Sequence, residues 1–174
     1  GRHAADVLVA AGHTVFATDL RLAPLQDFAA ARAWPAGRAS CRALDVRDPA
    51  AVRAVVDEVH QRHARVDLVL HAAGVNRSAA LATKTLESFR LVRAVKVGGY
   101  CSLRAAFAGR PAPAWCSFGS FIGLTGQIGE ADYASANDFL TTAAAQRRRK
   151  GIDEFTIGWT LWDEIGMGAH PVTR

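Results

Sequence analysis

The stretch VDLVLHAAG, at residues 66–74, joins an apolar run rich in β-branched residues to a turn of small residues that ends in glycine. Such a run has the length and composition of a buried strand. Runs of the same kind occur on both sides of it, with helical patterns between them. Strands that alternate with helices predict an α/β fold built on a parallel, doubly wound sheet.

The predicted elements cover most of the chain. Pro49 is expected in the first turn of its helix, where the missing N–H is not needed. The helices are predicted at residues 2–11, about 23–33, 49–63, about 85–107 and about 130–148, and the strands at 13–19, 39–44, 66–70, 113–118 and 154–159.

Length and composition indicate one domain, residues 1–174, because 174 residues of which half are hydrophobic can bury one sizeable core. No apolar run approaches the roughly 18 residues that span a bilayer, and no secretory signal is recognisable. We therefore expect a soluble cytoplasmic protein. Three cysteines without close spacing indicate reduced core residues, and the histidines, including His60 and His63, form no metal pattern with nearby acids or thiols.

The formal net charge of +5 raises the question of nucleic-acid binding. Much of the charge comes from scattered arginines and from the cluster RRRK at residues 147–150, which follows a predicted helix. Cations are favoured at the C-terminal end of a helix dipole. The cluster is therefore interpreted as a solvated helix end, and we expect no nucleic-acid partner.

Four polar residues have a spacing that predicts a shared site: Lys96, Ser120, Tyr133 and Asn137. Tyr133 and Asn137 lie four residues apart on a predicted helix and so share one face. Ser120 comes at the end of the apolar stretch APAWCSFGS, where open α/β sheets hold reacting groups. Taken singly, the serine could cap a turn, the tyrosine could belong to the core and the lysine could be solvated.

These four residues, together with HAAG at 71–74, LDVRD at 44–48 and GEADYASANDFL at 129–140, resemble the ketoreductase domains of type I polyketide synthases. Those domains belong to the short-chain dehydrogenase/reductase superfamily, whose sheet is Rossmann-like. The specific part of the resemblance is a lysine on an earlier helix, at 96, with an asparagine at the fourth place after the tyrosine. A similar fatty-acid-type reductase fits the same pattern.

The resemblance implies an oxidoreductase that uses NADPH to reduce a β-ketoacyl thioester, held on an acyl carrier protein, to the β-hydroxyacyl thioester. The carrier and the other domains of the same synthase are the implied partners. Reduction of a ketone builds negative charge on oxygen, so an acid and a hydrogen-bond donor are needed there. Tyr133 is the implied acid and Ser120 the donor. Lys96 would favour the phenolate of the tyrosine and bind the nicotinamide ribose, and Asn137 would order a water or backbone contact that relays the proton.

The cofactor residues implied near the N-terminus are Gly1, Asp19 and Arg21. Gly1 corresponds to the last glycine of the dinucleotide fingerprint, and Asp19 follows eighteen residues later, near the spacing of an acid that bonds the ribose hydroxyls of NAD. An acid there repels a 2′-phosphate, whereas Arg21 would attract one. The two residues point in opposite directions, and NADPH is expected ahead of NADH from the resemblance alone. Asp19 has the alternative role of capping the next helix.

Further cofactor contacts are implied at two turns. Asp45, with Val46 beside it in LDVRD, matches the contact to the adenine amine. Ala72, Ala73 and Gly74 match the small-residue turn against which the nicotinamide side of the cofactor packs. His71 precedes this turn and is interpreted as a structural residue.

Two further expectations concern the ends of the chain and the product. In the resembled fold an additional first strand lies between those at 14–18 and 66–70, and a last strand follows the substrate lid that WTLWDEIGMGAHPVTR resembles. We therefore expect the sequence to be a piece of a larger polypeptide that does not fold alone. Neither stereochemical signature of the family is present, because residues 76–78 are Asn-Arg-Ser and position 125 is threonine.

Two alternative functions stay open at the level of sequence. One is a stand-alone reductase or dehydrogenase that acts on a free small molecule. The other is a non-catalytic nucleotide-binding or empty domain inside a synthase, although such domains typically lose the tyrosine or the lysine, and both are present here.

Overall fold

The structure is a computed structural model that describes residues 1–110 and 112–162. Most of the segment that resembles a substrate lid therefore lies outside the described residues. The chain divides into two compact units. The first comprises residues 1–67 and 99–112, and the second comprises residues 68–98 and the chain from 113 onwards.

The first unit is a two-stranded parallel sheet with four helices. The strands β1 (Val15–Asp19) and β2 (Ala39–Ala43) pair in parallel, with Val15 opposite Ala39. The helices are α1 (Arg2–Ala10), α2 (Leu22–Ala31), α3 (Pro49–Arg62) and α5 (Gly99–Ala106). Its buried apolar side chains include Leu25, Val52 and Val56.

The start of α3 shows how local sequence defines an element of this unit. Asp48 is the N-cap, and its Oδ1 accepts hydrogen bonds from the backbone N–H groups of Ala50 at 2.9 Å and Ala51 at 3.1 Å. Pro49 follows as the first helical residue, as predicted. The cap satisfies two of the N–H groups that a helix start leaves free, and so the helix begins sharply after LDVRD.

The second unit is a three-stranded parallel sheet with the order β3-β4-β5. The strands are β3 (Leu68–His71), β4 (Ala114–Ser120) and β5 (Asp153–Trp159). The helices are α4 (Leu86–Arg93), which ends in a π-helical turn (Ala94–Gly98), the short α6 (Ile122–Thr125) and α7 (Ala131–Arg148). Val92, Tyr133 and Ala136 form a buried cluster against which Val75, Val97 and Ile122 pack.

The prediction of an α/β fold with parallel strands is confirmed, and the element boundaries agree within a few residues. Within the described part of the chain, β1 is paired only with β2, and β3 only with β4. Three local features differ from the prediction. The long helix predicted at about 85–107 contains the π-helical turn, and the short helix α6 was not predicted. The strand predicted at 113–118 extends to Ser120, which is the last residue of β4 and not the start of a loop after it.

Candidate active site

The structure brings the four predicted polar residues together in the second unit. Ser120 ends β4 and lies opposite Trp159 of β5. Tyr133 and Asn137 belong to the first half of α7, and Lys96 lies on the π-helical turn. All four side chains are buried, with exposed fractions between 0% for Asn137 and 9% for Ser120. Such residue types are mostly exposed in proteins, so their shared burial sets this region of the unit apart.

The ammonium group of Lys96 lies beside the ring of Tyr133. Its Nζ is 5.3 Å from the centroid of the tyrosine ring and donates a hydrogen bond of 2.8 Å to the backbone carbonyl of Phe118. Burial lowers the pKa of Lys96 to about 8, because the charged form loses its hydration. The alternative of a solvated helix lysine is therefore wrong, since this side chain is 2% exposed.

The phenol of Tyr133 has a pKa above its ordinary value. Burial is the main cause of the rise, and the negative charge of Glu130 adds to it. The polar side chains of Asn137 and Ser120 beside the hydroxyl act in the opposite direction and lower the pKa. Without further partners the hydroxyl therefore stays protonated at neutral pH, which is the form that can act as an acid.

The carboxamide of Asn137 is held by its own helix and leaves one atom free. Its Nδ2 donates to the backbone carbonyl of Tyr133 at 2.7 Å, while Oδ1 is buried and has no hydrogen-bond partner in the described part of the chain. Gly123 packs against this residue so closely that a Cβ there would lie 2.9 Å from the Cβ of Asn137. The orientation of the amide is thus constrained, and its oxygen is available to accept one hydrogen bond.

Ser120 and His71 each make one local contact that orders the site. The Oγ of Ser120 accepts a 3.3 Å hydrogen bond from the backbone N–H of Ile122, so the serine also caps a turn. The Nε2 of His71 lies 2.9 Å from the backbone carbonyl of Lys96. Burial lowers the pKa of His71 to about 4, so the neutral ring donates this bond near pH 7. This contact supports a structural role for His71, which anchors the turn that carries Lys96.

The turn of small residues at the end of β3 lies directly against Lys96. Ala72 and Ala73 are half-buried and Gly74 is exposed. A Cβ at position 74 would come within 3.3 Å of Cε and 3.5 Å of Nζ of Lys96. Glycine therefore keeps open the space next to the ammonium group, as close packing of a ligand at this turn would require.

The predicted cofactor residues of the first unit lie at ends of its elements. Gly1 is the residue before α1, whose N-terminus has the polarity that favours a phosphate. Asp19 ends β1, and its Oδ1 accepts a 3.1 Å hydrogen bond from the backbone N–H of Arg21, which precedes α2. Because Arg21 is itself the N-cap residue of α2, this bond lies before the helix, and Asp19 does not cap it. The side chain of Arg21 is exposed.

Asp45 is paired with a neighbour. Arg47 Nε lies 2.9 Å and 3.0 Å from the two carboxylate oxygens of Asp45, and the backbone N–H of Arg47 donates to Oδ1 at 2.9 Å. These bonds lower the pKa of Asp45. Val46 is half-buried beside it. An adenine amine would therefore have to share the carboxylate with Arg47.

Several polar residues around Tyr133 were missed by the sequence analysis. Asp132 accepts hydrogen bonds from Lys84 Nζ at 2.8 Å and from the backbone N–H of Tyr133 at 2.9 Å. Lys84 and Asp132 form a buried ion pair, in which the lysine side chain is 2% exposed and the aspartate side chain 0%. Lys84 also donates to the carbonyl of Arg77 at 2.8 Å. An acid at the start of a helix is usually explained by the helix dipole, so the sequence alone does not show that Asp132 is buried.

Glu130 is the other missed acid. Its Oε1 accepts hydrogen bonds from Asn76 and Ser78, which occupy the positions of the absent stereochemical signature. The backbone reinforces this link, because Ala79 N–H donates to the carbonyl of Gly129 at 3.1 Å. Two acids at the start of α7 thus tie the segment 76–84 to the helix that carries Tyr133.

Two kinds of feature are absent from the described residues. No group of three or more histidine, cysteine, aspartate or glutamate side chains is arranged to hold a metal ion in the part of the chain described here. Among the same residues, no helix is both long and apolar enough to cross a membrane.

Comparison with known proteins supports the resemblance found in the sequence. The KR domain model matches residues 1–164. The polyketide synthase ThaG of Burkholderia thailandensis is 35% identical over 164 residues, which cover 87% of this chain and 3% of that protein. The polyketide synthase GfsB of Streptomyces halstedii is 35% identical over 147 residues, covering 84% of this chain and 2% of that protein.

A solved structure agrees with these relatives. The crystal structure of a ketoreductase domain from the bacillaene assembly line has a TM-score of 0.85 and 27% sequence identity, and covers 96% of this chain and 42% of that chain. The present chain thus spans only a few per cent of the two synthases and under half of the solved domain. It belongs to the KR domain family, the ketoreductases of the short-chain dehydrogenase/reductase superfamily, which use NAD(P)H.

Proposed function

We propose that this domain reduces a β-ketoacyl thioester, carried by an acyl carrier protein, to the β-hydroxyacyl thioester with NADPH, as one step of polyketide assembly. The observation that carries the proposal is the buried group in the second unit, where the Lys96 ammonium lies 5.3 Å from the Tyr133 ring and Ser120 ends the adjacent strand. An acid, a cation and a hydroxyl donor in one site are the groups that ketone reduction requires.

Each residue has one role in this proposal. The Tyr133 hydroxyl gives its proton to the carbonyl oxygen as negative charge develops there. Ser120 donates a second hydrogen bond to the same oxygen. The Lys96 ammonium stabilises the phenolate that remains on Tyr133, because an opposite charge nearby favours the ionised form. The free Oδ1 of Asn137 accepts a hydrogen bond from a water, which supplies a new proton to the Tyr133 phenolate.

The residues around Lys96 fit a nicotinamide nucleotide. A bound NAD(P)H supplies the hydride for the reduction. The glycine at 74 leaves the space beside the Lys96 ammonium unfilled, and the neighbouring Ala72 and Ala73 are small enough for a flat ring to pack against the turn. Lys96 would donate to ribose hydroxyls there. Gly1, Asp45 and Val46 are proposed for the pyrophosphate and adenine contacts.

NADPH is proposed over NADH because the side chain of Arg21 is exposed and lies two residues after Asp19, the last residue of β1. The Asp19 carboxylate is partly satisfied by the backbone N–H of Arg21. That bond moderates its repulsion of a 2′-phosphate, and the exposed guanidinium of Arg21 is free to pair with the phosphate as a charged donor.

Arg21→Ala is expected to weaken NADPH binding by about tenfold, because a charge-assisted hydrogen bond contributes roughly 1.5 kcal/mol or more. The affinity for NADH should stay within about twofold, since NADH has no 2′-phosphate for the guanidinium. The Kd of each nucleotide can be measured by fluorescence titration. Arg38→Ala, which changes another arginine of the first unit, is the matched control. Equal losses of affinity for NADPH and NADH would contradict a contact between Arg21 and the 2′-phosphate.

The proposed partners follow from the relatives and from charge. Both polyketide synthases are far longer than this chain, so other domains of such a synthase are proposed as its neighbours. An acyl carrier protein is usually acidic, and the net charge of +5 favours its approach.

The function is tested by the substrates that the polypeptide turns over. A β-ketoacyl N-acetylcysteamine thioester and a free β-ketone of the same chain length are supplied with NADPH, and loss of NADPH is followed. Turnover of the thioester supports the proposal. Activity confined to free ketones or alcohols would favour a stand-alone reductase, and cofactor binding without any turnover would favour a non-catalytic domain.

The pH dependence follows from the pKa of Lys96. The ammonium is present below pH 8 and is lost as the pH rises through about 8, whereas the raised pKa of Tyr133 keeps the phenol protonated over that range. His71, with a pKa of about 4, does not titrate there. We expect kcat/KM for reduction to be flat near neutrality and to fall above pH 8 by about tenfold per unit.

The pH profile is measured with the thioester substrate at limiting concentration, and circular dichroism over the same range controls for unfolding. A profile that stays flat until the ordinary range of lysine, near pH 10.5, would contradict the low pKa of Lys96.

A further inference from the structure

We infer that Glu130 is a specificity-determining residue, whose free carboxylate oxygen accepts a hydrogen bond from an N–H or O–H donor that the substrate carries near the ketone. The inference rests on the proposed function, because it concerns the substrate of the same site. Glu130, the buried acid before α7, thereby has a contact with the substrate that the reduction itself does not require.

Glu130 is a buried acid with one satisfied and one unsatisfied oxygen. The side chain is 3% exposed. Asn76 Nδ2 donates to Oε1 at 3.1 Å, and the hydroxyl of Ser78 donates to the same oxygen. Oε2 is buried and has no hydrogen-bond partner among the residues that the structure describes. The two donors hold the carboxylate in one orientation, so the position of the free oxygen is defined.

The free oxygen has no partner among the charged residues nearby. Within the described residues no lysine or arginine lies at ion-pair distance from Glu130. The ammonium of Lys84 is bound to Asp132 and to a backbone carbonyl, and that of Lys96 is bound to the carbonyl of Phe118. A buried carboxylate oxygen without a donor is costly, and native proteins leave few such atoms unpaired.

A second free acceptor belongs to the same group. The Oδ1 of Asn76 is also buried and has no partner within residues 1–110 and 112–162, and the Nδ2 of the same amide is the donor to Glu130. Glu130 and Asn76 thus each keep one buried acceptor oxygen unpaired within the described residues. An N–H or O–H group of a ligand would satisfy either oxygen, whereas an acceptor-only group such as an ester oxygen would satisfy neither.

The position of Glu130 places this donor close to the reacting carbonyl. Glu130 precedes Tyr133 by three residues, and its charge is near enough to raise the pKa of the phenol. The hydrogen bond from Ala79 N–H to the carbonyl of Gly129 holds the segment 76–79 beside the same helix start. The donor that Glu130 selects would therefore lie within a few bonds of the ketone.

A β-ketoacyl thioester offers such a donor on either side of the ketone. On the thioester side it is the first amide N–H of the thiol arm, and on the acyl side it is a hydroxyl left on the growing chain. Both present the same chemistry to Glu130, and matched substrates distinguish them.

The test uses two pairs of substrates. In the first pair the thiol arm carries either the N-acetyl amide or the O-acetyl ester in its place, so that one N–H becomes an oxygen. In the second pair the acyl chain carries or lacks a hydroxyl two carbons beyond the ketone. The ratio of kcat/KM within each pair is measured for the unchanged protein, for Glu130→Gln and for Asp132→Asn. A ratio within one variant is independent of the folded fraction.

We expect the unchanged protein to prefer the donor-bearing member of at least one pair by about tenfold or more, as for a hydrogen bond to a charged acceptor. Glu130→Gln should reduce that preference to about twofold or less, because its single amide oxygen is taken by Asn76 and Ser78. Asp132→Asn changes the neighbouring buried acid and should keep the preference.

Equal kcat/KM within both pairs, or a preference that survives Glu130→Gln, would overturn the inference. The pair that shows the preference identifies the side of the ketone that carries the donor. Failure to reduce any of the four thioesters would overturn the proposed function instead, and with it the role of Glu130 in substrate choice.

Discussion

Tyr133→Phe is expected to lower the rate of ketone reduction by about a hundredfold to ten-thousandfold, which is the range that a positioned general acid contributes. The substitution removes only the hydroxyl, and the ring stays in the buried cluster with Val92 and Ala136. The contact between the Lys96 ammonium and the ring face is retained. Cofactor affinity should therefore change little, so kcat falls while the Kd for NADPH is kept.

The measurement is single-turnover reduction of a β-ketoacyl thioester alongside a fluorescence titration with NADPH. Tyr100→Phe is the matched control, because Tyr100 is the other tyrosine of the chain and is also buried, at 6% exposed. It lies in the first unit and should keep turnover within a few-fold. Unchanged turnover in Tyr133→Phe would defeat the assignment of the acid.

Lys96→Met is expected to impair cofactor binding and reduction, whereas Lys84→Met is expected to lower the stability of the fold. Both lysine side chains are about 2% exposed. Among the described residues Lys96 has no carboxylate partner, and its buried charge opposes folding. Methionine at 96 should therefore leave the unit folded, weaken the cofactor by about tenfold and lower reduction by about a hundredfold or more. Methionine at 84 leaves Asp132 buried and unpaired, which costs about 3–5 kcal/mol.

Limited proteolysis of the intact polypeptide separates the two effects, because cleavage within the domain reports its unfolding. Lys84→Met should be cleaved much faster than the unchanged protein, and Lys96→Met at a similar rate. Binding of NADPH is measured on the same samples. Normal reduction in Lys96→Met, or greater protease sensitivity in that variant than in Lys84→Met, would show that the two lysines have been assigned the wrong roles.

The order of helices and strands could be predicted because it depends on local patterns. The apolar run before HAAG and the Asp48-Pro49 pair each define an element within a few residues of chain. The π-helical turn could not be predicted, since one added residue in a helix leaves the apolar pattern on either side intact. The shift of Ser120 from loop to strand end is of the same size as the ordinary uncertainty of element boundaries.

The candidate site was predictable in its chemistry and less so in its surroundings. The spacing of Lys96, Ser120, Tyr133 and Asn137 identified which groups meet, but the contact of Asp45 with Arg47 and the burial of Glu130 were not visible. Acids are mostly exposed, so a glutamate and an aspartate at a helix start carry no mark of burial in the sequence.

By itself, the sequence determined the alternating α/β elements and the four polar residues of the site, because strand and helix periods and residue types are properties of neighbouring positions. Only the tertiary structure decided that the Lys96 ammonium is desolvated against Tyr133, that Lys84 pairs with Asp132, and that Glu130 keeps a free oxygen. Burial and electrostatic environment arise from segments far apart in the chain, and they set the pKa values and unpaired atoms on which the proposed chemistry depends.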